Sequence, residues 1–247
     1  MDTKDILVIA LSSTALLVSI TSFILTFRQR ALENTRGVRK SLTEAISALG
    51  DVSLSRATLD ADNPQVTEQI TNLRRIYNSQ RRYLANHAEY LAAQIPSLVA
   101  DIDYNVLAGA FDSIGDYDRA QRHCENSVAA STSKPLLAMN LRGFSRFLYF
   151  QGNAQLGRKK YHESLEVELP DTDNIRRLRA DTYAMWAKTE MDFGHEEEAR
   201  RLREQTLSAA QRIGHKGMRE EFLLFANQRL MDPSSAVIKP EKVPGDA

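Results

Sequence analysis

The sequence predicts an all-α protein in which an N-terminal transmembrane helix is followed by a solenoid of helical hairpins. Three observations carry this expectation. Apolar residues recur at spacings of three and four, never in the alternation of a half-buried strand. Residues 6–27, ILVIALSSTALLVSITSFILTF, contain no charged side chain. From residue 97 onward, three segments share one plan of helix, glycine turn and helix. Their glycines, Gly115, Gly152 and Gly194, stand 37 and 42 residues apart. Such a period is the mark of stacked hairpin repeats.

The uncharged stretch comes first. Thirteen of its 22 residues are Leu, Ile, Val or Phe. As a helix it is about 33 Å long, enough for a hydrocarbon core of about 30 Å. The leader MDTKD carries two acids, and the stretch runs into FRQR, so it lacks the basic start and small-residue cleavage site of an export signal. Lys4 precedes it, whereas Arg28, Arg30, Arg36, Arg39 and Lys40 follow. The positive-inside rule then puts residues 1–5 outside and the C-terminal bulk in the cytoplasm, on a single-pass protein of the plasma (inner) membrane. The basic flank would meet anionic lipid headgroups. Ser12, Ala15, Ser19, Ser22 and Thr26 recur on one helical stripe. A face of small residues lets a second span approach closely, either another copy of this chain or a client's span. The alternative is hydroxyls bonded back to their own helix.

Residues 28–96 read as a juxtamembrane segment and a helical hairpin. Gly37 is expected to mark a weak point between the span and the first soluble helix. Val38, Leu42, Ala45, Ile46 and Leu49 form one apolar face, with Gly50 as its C-terminal cap. A second helix is expected from Asn63-Pro64, with the stripe Val66, Ile70, Leu73, Ile76/Tyr77, Leu84, Leu91 and Ile95, ending before Pro96. Its near-heptad spacing is interrupted at Gln80 and His87, so packing within its own domain is preferred to a coiled coil. Residues 97–231 hold the repeats, closed by a capping helix with Met218, Phe222 and Phe225. Residues 232–247, with three prolines, read as a disordered tail.

In the first repeat Tyr104, Leu107, Ala108 and Phe111 precede Gly115-Asp116-Tyr117, and Ala120 follows five residues after the glycine. This arrangement resembles a tetratricopeptide repeat, in which small residues sit where two helices cross closely. The second segment keeps Phe144, Ser145 and Leu148 before Gly152, then Tyr161 and Leu165, but has Gly157 in place of the alanine. The third keeps Tyr183, Trp186, Ala187 and Ala199. It has Glu190 in place of an aromatic and Arg203 in place of an apolar residue. The resemblance covers about residues 97–212. It implies a concave groove lined by the first helix of each hairpin: Asn105, Gly109 and Asp112, then Arg142, Arg146 and Tyr149, then Ala184, Lys188 and Met191. The partner-binding set is accordingly Asn105, Asp112, Arg142, Arg146, Tyr149 and Lys188. Two arginines beside an aromatic suit an acidic or C-terminal peptide. The family's chaperone-type carboxylate grip is not matched, since Asn105, Gly109, Gly143, Asp181 and Met185 occupy its places.

Composition bounds the remaining classes. The 247 residues contain 32 basic and 32 acidic side chains, a balance that argues against a non-specific polyanion binder. Cys124, the lone cysteine, excludes an internal disulfide and a multi-cysteine metal site. It falls on a packing face as a small hydrophobe. The five histidines show neither HxxxH nor HxxEH spacing, and there is no phosphate loop or GxSxG elbow. No enzyme, cofactor or metal is expected. RRIYNSQRR (74–82) and the RRLR runs raise nucleic-acid binding, but interspersed acids read as salt-bridged helix faces. The functional expectation is a membrane-anchored adaptor or scaffold that binds a protein partner at the cytoplasmic face. An exported scaffold is the alternative, and a nucleic-acid-binding repeat protein stands behind it.

Overall fold

A computed structural model describes residues 3–62 and 67–231, with side chains over 25–61 and 67–228. Every regular element among these residues is helical, as the apolar spacing predicts, and none is a strand. The chain divides into two compact units. The first comprises the residues up to Val99 with Gly109–Gly115, and the second comprises Ala100–Ala108 with the residues from Asp116 on.

The first unit is built on α1, Thr3–Asp62, a single helix of 60 residues and about 90 Å. The expected weak point between two helices at Gly37 and the cap at Gly50 are corrected here, because α1 passes through both as one helix. Glycine inside a helix costs only about 1 kcal/mol relative to alanine. A glycine cap of the Schellman type also needs a positive φ, and the described glycines with positive φ are Gly115, Gly152 and Gly194. Leu42, Ala45 and Leu49 form the buried face of α1, as expected. Thr35, Thr43, Ser53 and Thr58 each donate to the carbonyl four residues back.

The second helix, α2, is Glu68–Gln94. It starts at the cap Thr67, whose hydroxyl accepts from Ile70 N; the expected start at Asn63-Pro64 lies outside the described residues. Arg56 of α1 reaches Asn78, and Asp60 reaches Arg74, so α1 and α2 run antiparallel as a hairpin. Ile70, Ala85, Ala88, Leu91 and Ala92 are buried, whereas Ile76 is 53% exposed and leaves its neighbour Tyr77 to turn inward. A short 3-10 turn, Pro96–Leu98, ends this hairpin.

Among the described residues no helix is long and apolar enough to cross a membrane. The side chains of residues 6–24 lie outside those residues, and with them Ser12, Ala15, Ser19 and Ser22. Thr26, Leu25 and Phe27 are exposed.

The second unit contains the glycine-turn hairpins at Gly152 and Gly194. It also contains the start of α3 (Asp101–Ser113, whose residues from Gly109 on fall with Gly115 in the first unit) and all of α4 (Tyr117–Ala129). Helices α5 (Lys134–Phe150) and α6 (Ala154–Glu166) flank Gly152, and α7 (Asp173–Asp192) and α8 (Glu196–Gln211) flank Gly194. Helix α9 (Lys216–Met231) follows. The three glycines have φ of +80°, +78° and +78°, a region open to glycine at little cost. At Gly152 and Gly194 the following residue donates back to Leu148 O and Glu190 O, both at 2.9 Å, which closes the helix. The first two second helices are capped by the residue after glycine: Asp116 accepts from Arg119 N and Asn153 from Leu156 N. Tyr149, Tyr161, Trp186, Ala187 and Leu202 form one buried cluster. Ala180, Ala184, Ala210, Ile213, Phe222 and Ala226 form another.

Candidate functional site

The first helices of the hairpins place the expected groove residues, and most of their polar groups are engaged within the protein. Asn105 donates to Asn140 Oδ1 at 2.8 Å and accepts from the Ser127 hydroxyl at 2.9 Å. Asn140, buried, donates in turn to Asp101 and Ser131 at 2.9 Å. This network ties α3, α4 and α5 together, as buried polar groups require. Arg142 pairs with Asp181 of α7 at 2.5 Å, with only 12% of its side chain exposed. Lys188 pairs with Asp192 on the same helix. Asp112 is half-buried and belongs to the first unit. Arg146 is exposed, with its guanidinium 5.4 Å from the Phe150 ring centroid.

Tyr149 corrects the expectation. Its side chain is fully buried, so it lines no groove. Its ring lies over Gly157, where a β-carbon would stand 2.6 Å from Cε2. The hydroxyl then reaches Glu190 Oε1 at 2.5 Å.

Glu190 is the centre of a buried polar cluster in this unit. It is 0% exposed. Oε1 accepts from Tyr149, from Arg158 Nε at 2.8 Å and from Trp186 Nε1 at 2.9 Å. Oε2 accepts from Arg158 through a second guanidinium nitrogen at 2.8 Å and lies 2.7 Å from His195 Nδ1. Burial by itself raises a carboxyl pKa, but the bonds from Arg158, Tyr149 and Trp186 outweigh it and hold Glu190 below the usual range. Burial and the adjacent carboxylate push the Tyr149 phenol well above its ordinary value. The bond to Glu190 raises Arg158 likewise. The carboxylate is thus ionised, saturated with donors and sealed from solvent.

Arg158 and His195 are each 39% exposed on their outer edges. They border an open cleft of about 690 Å³ whose other walls are Glu196–Glu198, Arg200, Arg201 and Glu204 of α8. His195 directly follows the turn glycine Gly194. Its imidazole is turned back onto Glu190, so α8 lacks the side-chain cap that its two counterparts have. The available signal was Glu190 itself, an acid at a position whose equivalents are Phe111 and Leu148. Among the described residues no cluster of three His, Cys, Asp or Glu side chains is placed to hold a metal ion. No known protein-family model matches this chain, and no curated protein or solved structure matches it either.

Proposed function

We propose that this chain is a membrane-tethered adaptor whose tetratricopeptide-like hairpins hold a protein partner at the cytoplasmic face. The observation that carries the reading is the continuity of α1. The uncharged stretch and the packing face of Leu42, Ala45 and Leu49 belong to one helix, so a helix seated in a bilayer would present the hairpin directly. Exposed Leu25, Phe27 and Leu32 are consistent with that, as apolar side chains with little protein cover. Exposed Arg28, Arg30, Arg36 and Lys40 suit anionic headgroups at the inner leaflet. Pairing of the spans through Ser12, Ala15, Ser19, Ser22 and Thr26 belongs to the same proposal. The back-bonded hydroxyls of Thr35, Thr43, Ser53 and Thr58 favour the competing role for that stripe.

In the second unit, partner capture falls to what α5 leaves available: Arg146 stacked on Phe150, with Met139 44% exposed about two turns from Arg146. Membrane fractionation with alkaline extraction tests the tether. The full chain is expected in the membrane pellet, and a chain lacking residues 6–27 in the supernatant. Protease added to spheroplasts then separates the cytoplasmic from the exported arrangement, because an exported domain would be digested. Recovery of the full chain in the supernatant would sink the tether.

A further inference from the structure

On the first unit, the α1–α2 hairpin carries a basic strip with no acid in its wall. A cleft of about 710 Å³ is lined by Arg56 of α1 and by Arg74, Arg75, Arg82 and Tyr83 of α2, with Asn78 among them. Asp60 is held by Arg56 and Arg74, each through a 2.8 Å bond. Arg75 and Arg82 are exposed and make no ion pair among the described residues. Behind the strip Arg81 is only 8% exposed, and its Nε has no hydrogen-bond partner among the described residues. Burial, together with the neighbouring Arg56 charge, pulls its guanidinium below the ordinary value. The acid whose charge offsets this, Asp60, is already bonded to Arg56 and Arg74, so Arg81 is only partly compensated, which weakens the free fold. A bound anion would supply what the chain leaves out.

We propose that this strip docks an acidic segment of a protein partner, three or four carboxylates long. Charge complementarity sets the class, since guanidinium groups bind carboxylates in paired, charge-assisted hydrogen bonds. Size sets the ligand. Arg74 and Arg82 are about 12 Å apart along α2, roughly the span of four residues of extended peptide. A nucleic-acid duplex would bring about seven phosphates into that length and continue past both ends, where Glu68 and Glu89 stand. Lipid headgroups are disfavoured by distance. In a tethered chain Arg56 stands roughly 40 Å along α1 from the end of the uncharged stretch. The inference rests on the adaptor reading in taking the ligand to be protein, and of the tether it uses only the distance that disfavours lipid headgroups.

Fluorescence anisotropy of labelled hexaglutamate with the full-length chain in non-ionic detergent tests this. The peptide is expected to bind, and Arg75→Glu with Arg82→Glu to weaken it at least tenfold. Arg81→Met is expected to raise the thermal midpoint of the free chain and to weaken the peptide at least threefold. Absence of hexaglutamate binding, or an unchanged affinity in the double variant, would overturn the proposal. So would a single-stranded oligonucleotide or phosphatidylserine vesicles that bind more tightly than the peptide and lose binding in the same variants. A lower midpoint for Arg81→Met would remove the argument from the partly compensated charge. Loss of the tether in fractionation with peptide binding intact would count against the adaptor reading alone.

Discussion

The ring of Tyr149 occupies the space that a β-carbon on Gly157 would need. Two departures from the repeat pattern, Gly157 in place of alanine and Glu190 in place of an aromatic, therefore have one cause. A large ring on α5 removes the side chain below it on α6, and its hydroxyl then serves a carboxylate on α7. Ser145, which donates to Gly157 O at 2.5 Å, holds the two helices at that separation.

Gly157→Ala is expected to destabilise the chain by about 1–3 kcal/mol, the usual cost of overpacking a filled core. In Tyr149→Ala the same substitution should cost far less, because the obstructing ring is gone. Urea unfolding of the four chains of this double-mutant cycle measures the coupling. Equal effects in both backgrounds would mean that the ring and the glycine are independent.

Glu190→Gln is expected to cost about 3 kcal/mol, the lower end of the range for breaking a buried ion pair. The lower end applies because Arg158 is partly exposed and can turn to water. Arg158→Ala leaves the sealed carboxylate with Tyr149, Trp186 and His195 alone. It is expected to be no milder, a ranking that chemical denaturation of both variants checks.

The pH dependence follows from the sign of the Glu190 shift. Its folded pKa lies below the ordinary 4.5, so on acidification the unfolded chain takes up the proton first. The stabilisation is complete above that value and is lost as pH falls through the lower, folded one. Asp60, Asp116, Asp171 and Asp173 are shifted the same way. The measurement is therefore the difference between the parent chain and Glu190→Gln, which should shrink towards low pH. A difference independent of pH below 4.5 would argue against an ionised Glu190.

Two kinds of glycine should respond oppositely to alanine. Gly37→Ala and Gly50→Ala, in the exposed interior of α1, are each expected to stabilise by about 1 kcal/mol. Gly152→Ala and Gly194→Ala, at φ of +78°, are each expected to destabilise by about 1–2 kcal/mol. Thermal unfolding reads both signs.

The turns were the most legible part of the fold. Gly115, Gly152 and Gly194 stand at the hairpin bends because the local chain demands a conformation that other residues resist, and that demand shows in sequence. Ala120 and Ala199 were readable for a similar reason, as small residues at close crossings. Gly37 and Gly50 misled because a glycine looks the same in sequence whether or not its φ is positive. Tyr149 misled because an offset along a helix gives the direction of a side chain but not whether a neighbour has made room for it. Its partner Glu190 is 41 residues away, beyond any local pattern. Arg142 was legible in position but not in availability, since Asp181 neutralises it from the next hairpin.

The unbroken α1 also fixes a phase. Each residue of an α-helix turns the chain by about 100°, so the side of the uncharged stretch that faces a given neighbour is set by the bed that Leu42, Ala45 and Leu49 make with α2. Adding one residue between positions 28 and 40 would swing one end against the other by more than a quarter turn. Adding seven would nearly restore the alignment. The helix behaves as a shaft, and its rotational register is part of what the sequence encodes.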